Sequence, residues 1–140
     1  MPDLQIVVSY WSILLTLYSV GIGLSLSLEQ QGPFFIHEPP DRVDFANSTG
    51  TVISCSAQGN PIPSIRWVNR EGDEVTDVAG LRHVRPDGSL VFLPFRAEDF
   101  RQDVHDATYK CLASNAVGIV GSRNVQVRGG EFPYAINLNL

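Results

Sequence analysis

The sequence predicts an all-β sandwich preceded by a hydrophobic leader, and three observations predict it. Short runs rich in β-branched and aromatic residues recur at strand-like intervals from Pro33 onward, turn residues separate them, and apolar side chains alternate inside them. With 12 Gly and 9 Pro among 140 residues, the chain is too often interrupted for a helix bundle. Roughly seven to nine short strands in about 95 residues fit two packed sheets with Greek-key connections. The length allows one globular domain, and no internal repeat points to a solenoid.

Residues 1–27 are expected to be a signal peptide or signal anchor. From Leu4 to Leu28 no side chain is charged, and Ile6, Trp11, Leu14, Leu17, Ile22 and Leu26 belong to one continuous apolar run. A secretory signal needs small residues before its cleavage site, which Gly21/Gly23 or Ser25/Ser27 supply. An uncleaved anchor needs about 20 apolar residues, and the run is long enough. Asp3 without any Lys or Arg departs from the usual signal start and sets no orientation. A gene-model artefact is the third reading. Both leading readings deliver the following domain to the oxidising side of a membrane.

The strands follow in order. Phe34-Phe35-Ile36 ends at Glu38-Pro39-Pro40-Asp41, and Val43-Asp44-Phe45 ends at Asn47-Ser48-Thr49-Gly50. Next come Thr51 to Cys55, the turn Gly59-Asn60-Pro61-Ile62-Pro63, and Ser64 to Val68. Val43/Phe45, Ile53/Cys55 and Ile65/Trp67 each share one face, which implies a sheet covered on one side. Arg70-Glu71-Gly72-Asp73 and Pro86-Asp87-Gly88 are turn chemistry, Leu90/Phe92 alternate, and Tyr109/Cys111/Ala113 alternate before Asn115 and Gly118. Gly118 to Val127 reads as the last strand, with Ile119, Gly121, Arg123, Val125 and Val127 on one face and Val120 on the other. Arg96 to Asp106 reads as a solvated loop, with an adhesive rim as the competing reading, and Phe95 and Phe100 as its anchors into the core.

Several functions are excluded. The net charge is −5, and nine Arg and one Lys are spread from Arg42 to Arg128 without a cluster, so binding nucleic acid by phosphate neutralisation is not expected. Two Cys with His37, His83 and His105 make no metal-ligand spacing. The Glu71-Gly72-Asp73-Glu74 turn lacks EF-hand spacing. A nucleophile elbow and a Gly-rich phosphate loop are also missing, so the chain is expected to be no enzyme and to take no cofactor.

Trp67 lies 12 residues after Cys55, and Tyr109 two before Cys111; this Cys…Trp…Tyr-x-Cys spacing resembles that of an immunoglobulin domain. The resemblance implies a Cys55–Cys111 disulfide across the two sheets, Trp67 packed on it, and the Tyr109 hydroxyl bonded to the loop before its own strand. Closing such a loop stabilises by about 3–4 kcal/mol. Two unrelated buried thiols are the alternative. Cys111-Leu112-Ala113-Ser114-Asn115-Ala116-Val117-Gly118 resembles the C-x-A-x-N-x-x-G signature of I-set domains in adhesion molecules, and Gly59-Asn60-Pro61-Ile62-Pro63 before Ile65-Arg66-Trp67 is similar to their entry into the third strand. One position departs: His105 stands where the acid six residues before the second Cys is usual. Asp99 or Asp103 is expected to take over that acid's role against Arg82 or Arg85.

Residues Asp87 to Cys111, with Gly32-Pro33-Phe34-Phe35 and Asp44-Phe45-Ala46-Asn47-Ser48-Thr49-Gly50, resemble the first immunoglobulin domain of arthropod members of the Dscam (Down syndrome cell adhesion molecule) family. The resemblance implies an I-set domain over residues 32–128, a truncated tail over residues 129–140, and a much larger parent. That parent would carry many immunoglobulin and fibronectin type III domains, a transmembrane helix and a cytoplasmic tail. The implied function is homophilic cell adhesion in neurogenesis, axon guidance and dendrite self-avoidance. The implied partners are other copies of the family and neighbouring domains of the parent, at the plasma membrane or outside the cell, with membrane contact through the parent or an uncleaved leader. A secreted, soluble immune-type binder is the alternative. Asn47-Ser48-Thr49 is an N-x-S/T sequon in a predicted loop, which makes Asn47 a candidate glycosylation site.

Overall fold

The structure, a computed structural model, describes residues 29–131. The leader expected over residues 1–27 and residues 132–140 lie outside the described residues. The compact unit that begins at Gln31 is all-β, as the sequence predicts. Its strands are β1 (Gln31–His37), β2 (Arg42–Ala46), β3 (Thr51–Ile53), β4 (Ser56–Asn60), β5 (Ser64–Asn69), β6 (Arg82–Val84), β7 (Leu90–Phe92), β8 (Asp106–Ser114) and β9 (Ile119–Gly130).

One layer is the four-stranded sheet β2-β9-β8-β5; the other comprises β3-β7-β6 and the pair β1-β4. The stretch from Gln31 to Ala46 serves both layers. β1 pairs antiparallel with β4, and β2 pairs parallel with β9. The sequence explains the change of partner: Pro39 and Pro40 have no N–H to donate, so the β1 ladder cannot continue through them. Glu38 fixes the crossing by accepting the Arg123 backbone N–H at 2.6 Å and its guanidinium at 3.3 Å. Those bonds, the backbone one foremost, hold its carboxyl below the usual pKa.

The faces predicted by alternation are the buried ones. Phe45, Ile53, Cys55, Trp67, Leu90, Phe92, Tyr109, Cys111, Val125 and Val127 belong to one core, with Ile65 and Val43 packed against it. Phe92 sits between Phe45 and Tyr109, with ring centroids 5.4 and 5.7 Å away. Gly129 closes this core at the end of β9, because a Cβ there would overlap the Phe45 ring. β9 therefore runs on through Gly129 and Gly130 alongside Phe45 and Ala46.

Two expectations are corrected. The expected phase along β9 holds only from Val125 onward and is reversed before it, because the β8–β9 pairing slips by one residue between Lys110↔Asn124 and Leu112↔Gly121. The extra residue is a β-bulge opposite Cys111, where Ser122 Oγ accepts the Cys111 N–H at 3.0 Å. Ser122 is buried as a result, whereas Ile119 is 60% exposed and Gly121 and Arg123 face solvent. Secondly, Arg96 to Asp106 is not a plain solvated loop. It folds as a 3₁₀ turn (Ala97–Asp99) and one helical turn, α1 (Gln102–His105), which bury Val104 and His105.

Candidate functional site

Two structural centres carry the residues singled out in the sequence. At the first, β5 and β8 place Trp67 opposite Cys111, and Cys111 forms a disulfide with Cys55, their Cα atoms 6.6 Å apart. Trp67 is fully buried, and its Nε1–H donates to the Gly88 carbonyl at 2.8 Å, so the indole nitrogen is satisfied within an apolar core. Gly88 adopts φ +92°, and a Cβ there would lie 2.9 Å from the Cys55 carbonyl, so the turn requires glycine.

The second centre is a corner built on Tyr109. Its hydroxyl donates to the Val104 carbonyl at 2.8 Å and accepts from Arg82 Nη1 at 3.0 Å. Burial raises the phenol's pKa, and the Arg82 charge works against that rise. Arg82 also donates through Nε and Nη2 to the Thr76 carbonyl, at 3.2 and 2.8 Å, and lies over the Tyr109 ring at 5.7 Å. The expectation that Asp99 or Asp103 would pair with Arg82 or Arg85 is overturned. Asp99 binds Arg96, and Asp103 binds Arg101 at 2.6 Å, both at the surface. The buried guanidinium is instead held by neutral oxygens and a ring face. No sequence signal marks Thr76, because its contribution is a backbone carbonyl that only the fold brings to Arg82.

His105 fills the space of the missing acid differently. It is inaccessible to solvent and stacks on Phe95, with ring centroids 3.8 Å apart and planes at 16°. Phe100 stacks beside it at 5.5 Å. Nδ1 accepts the Arg101 backbone N–H at 2.9 Å, which places the proton of the neutral ring on Nε2, and that atom has no partner among the described residues. Desolvation pushes its pKa down, with the Arg101 and Arg82 charges acting in the same direction and Asp103 against it.

Because the folded pKa lies below the unfolded value of about 6.5, stability contributed by neutral His105 is complete above that pH and is lost as pH falls toward the folded pKa. Its ceiling is about 1.4 kcal/mol per pH unit. Phe100 is 45% exposed, so water is one ring away and the slope falls short of that ceiling. Thermal melts between pH 7.5 and 5 are expected to show a falling Tm for the wild type and a flatter profile for His105→Phe. Parallel profiles would remove His105 from the account.

The remaining motif residues act as connectors. Asn115 donates through Nδ2 to the carbonyls of Gln31 and Pro61, at 2.8 and 2.9 Å, and its Oδ1 accepts the Val117 N–H at 2.9 Å. One side chain thus ties the β8–β9 turn to β1 and to the β4–β5 loop. Gly59 passes close by, and a Cβ there would lie 2.9 Å from Asn115 Nδ2, which explains the glycine of that motif. Asn47 sits in the β2–β3 turn, its backbone N–H bonded to Gly130 and its carbonyl to Phe95. An open hollow of about 670 Å³ lies between Arg70-Glu71 and the Arg101 to Asp106 segment, lined by charges of both signs. Among the described residues no group of His, Cys, Asp and Glu is placed to hold a metal ion.

No protein-family model matches the chain. It is 55% identical over 100 residues to the cell adhesion molecule Dscam1 of Drosophila melanogaster, covering 71% of this chain and 5% of that protein. It is 34% identical over 129 residues to human DSCAM, covering 91% of this chain and 6% of the relative. The crystal structure of the N-terminal four Ig domains of Dscam1 isoform 7.44 superposes with a TM-score of 0.72 at 52% identity, covering 74% of this chain and 27% of that one. The N-terminal eight Ig domains of DSCAM isoform 1.30.30 superpose at 0.70 with 55% identity, covering 71% and 15%. The chain thus spans about 5% of the length of the curated relatives it matches.

Proposed function

The immunoglobulin domain of this chain belongs to the Dscam family of cell adhesion molecules, and from that membership we propose that it is an extracellular recognition module acting in homophilic adhesion, with axon guidance and dendrite self-avoidance as its setting. The observation that carries the reading is the match of the domain to N-terminal Ig domains of Dscam1 at more than half identity. Cys55, Cys111, Trp67 and Tyr109 act in it as the frame that keeps the outer surfaces in place, and no residue is assigned a catalytic role. Residues 1–27 act as the secretory leader. The partners are copies of the family and adjoining domains of a longer parent, at the cell surface; nucleic acid is not among them.

The test is a replacement. Residues 31–130 are substituted for the N-terminal Ig domain of the Drosophila Dscam1 ectodomain, and the chimera is displayed on beads. Aggregation between chimera-bearing beads is expected at the level of the unmodified ectodomain. A folded, secreted chimera that no longer aggregates would overturn the reading.

A further inference from the structure

We propose that Asn47 carries an N-linked glycan whose first sugars pack on the exposed face of Phe100, covering the aromatic stack at the end of the domain where β9 leaves. The sequon Asn47-Ser48-Thr49 lies in a turn whose backbone is held on both sides, by Gly130 and Phe95, while Ser48 and Thr49 face solvent. Asn47 lines two shallow hollows. One, about 240 Å³, is lined by Phe95, Ala97, Phe100, Gly130 and Glu131. The other, about 420 Å³, lies toward Leu81 and Pro94.

Phe100 decides between them. It is 45% exposed as the outer ring of the Phe95–His105–Phe100 stack, so an aromatic ring already held by its neighbours lines the hollow that Asn47 borders. The C–H groups of a pyranose carry a weakly positive face that an aromatic ring's negative face attracts. Glu131 borders the same hollow and brings acceptor oxygens for sugar hydroxyls.

Attachment needs a lipid diphosphate-linked oligosaccharide donor, the ordinary co-reactant of the secretory pathway. Nδ2 of Asn47 forms the bond to C1 of the first sugar, the C1–O bond to the diphosphate breaks, the lipid diphosphate departs, and the amide loses one proton.

The test uses the full chain secreted from insect cells. Intact mass before and after peptide N-glycosidase should fall by one oligosaccharide, with Asn47 recovered as Asp; Asn47→Gln and Thr49→Ala should each abolish the shift. Secreted protein without the glycan would overturn the proposal. For the packing, Tm is compared between glycosylated and enzymatically stripped protein. Stripping is expected to lower the wild-type Tm by about 4 °C and to leave the Tm of Phe100→Ser, whichever its own value, unchanged. An equal effect of stripping in both proteins, or none in the wild type, would overturn the packing on Phe100.

Discussion

Replacing Cys55 and Cys111 together with alanine is expected to lower the stability of the domain by about 3–5 kcal/mol and to prevent its secretion in quantity. The disulfide joins positions 56 apart in sequence, and the chain-entropy account gives about 3–4 kcal/mol for closing such a loop in the unfolded ensemble. Both cysteines lie in the same core as Trp67, so their removal also leaves a packing defect in the cluster that holds the largest buried side chain. A domain of this size is stable by about 5–15 kcal/mol in total, and the loss takes a large part of it. Denaturant melts of oxidised and dithiothreitol-reduced wild type check this without mutation. The reduced protein should unfold at lower denaturant and with a steeper slope, because its unfolded chain is less compact. Alkylation of both cysteines in protein never exposed to reductant would show that no bridge exists and would sink the prediction.

Tyr109→Phe comes next, with an expected cost of about 2–3 kcal/mol, since it strips one partner from a buried guanidinium and leaves the Val104 carbonyl without its donor. The loss is larger than for an average tyrosine hydroxyl because Arg82 is 92% buried, on its 8% relative exposure, and pairs with no carboxylate among the described residues. Arg82→Met removes the charge itself. In that background Tyr109→Phe should become cheaper, giving a coupling energy of about 1–2 kcal/mol in a double-mutant cycle. Additive costs would mean that the hydroxyl and guanidinium contribute independently, against the geometry described for the corner.

Much of the architecture was legible in the residues, and for identifiable reasons. Ile53/Cys55, Ile65/Trp67 and Tyr109/Cys111/Ala113 lie on strands with one face against the core, so their period of two records burial directly. Asn115 and Gly59 were visible as motif positions, though their mutual approach was not. The phase of β9 was hidden because a bulge inserts one residue without changing composition, and here its marker is a single serine hydroxyl bonded to a backbone N–H. The surroundings of His105 were hidden for another reason. Its burial depends on Phe95 and Phe100 being folded back over it by two short turns, and nothing in the Arg96 to Asp106 pattern distinguishes those turns from a charged loop. A histidine in place of the usual acid reads as a lost ion pair in sequence; in the fold His105 is a buried member of an aromatic stack.

The parallel pairing of β2 with β9 determines how the domain responds to pulling. In the adhesive role proposed above the domain would be tugged at its two ends, and the chain enters β2 at Arg42 from one side while it leaves β9 at Gly130 on the other. Opposed forces on parallel neighbours act along the strands, so the registered pairs from Arg42↔Gln126 to Ala46↔Gly130 resist together in shear instead of opening one after another like a zip. Phe45 wedged against Gly129 adds a steric catch to that sliding motion. The mechanical toughness of the module therefore resides at its margin, in five residue pairs outside the disulfide loop, and a covalent bridge deep in the core leaves it untouched.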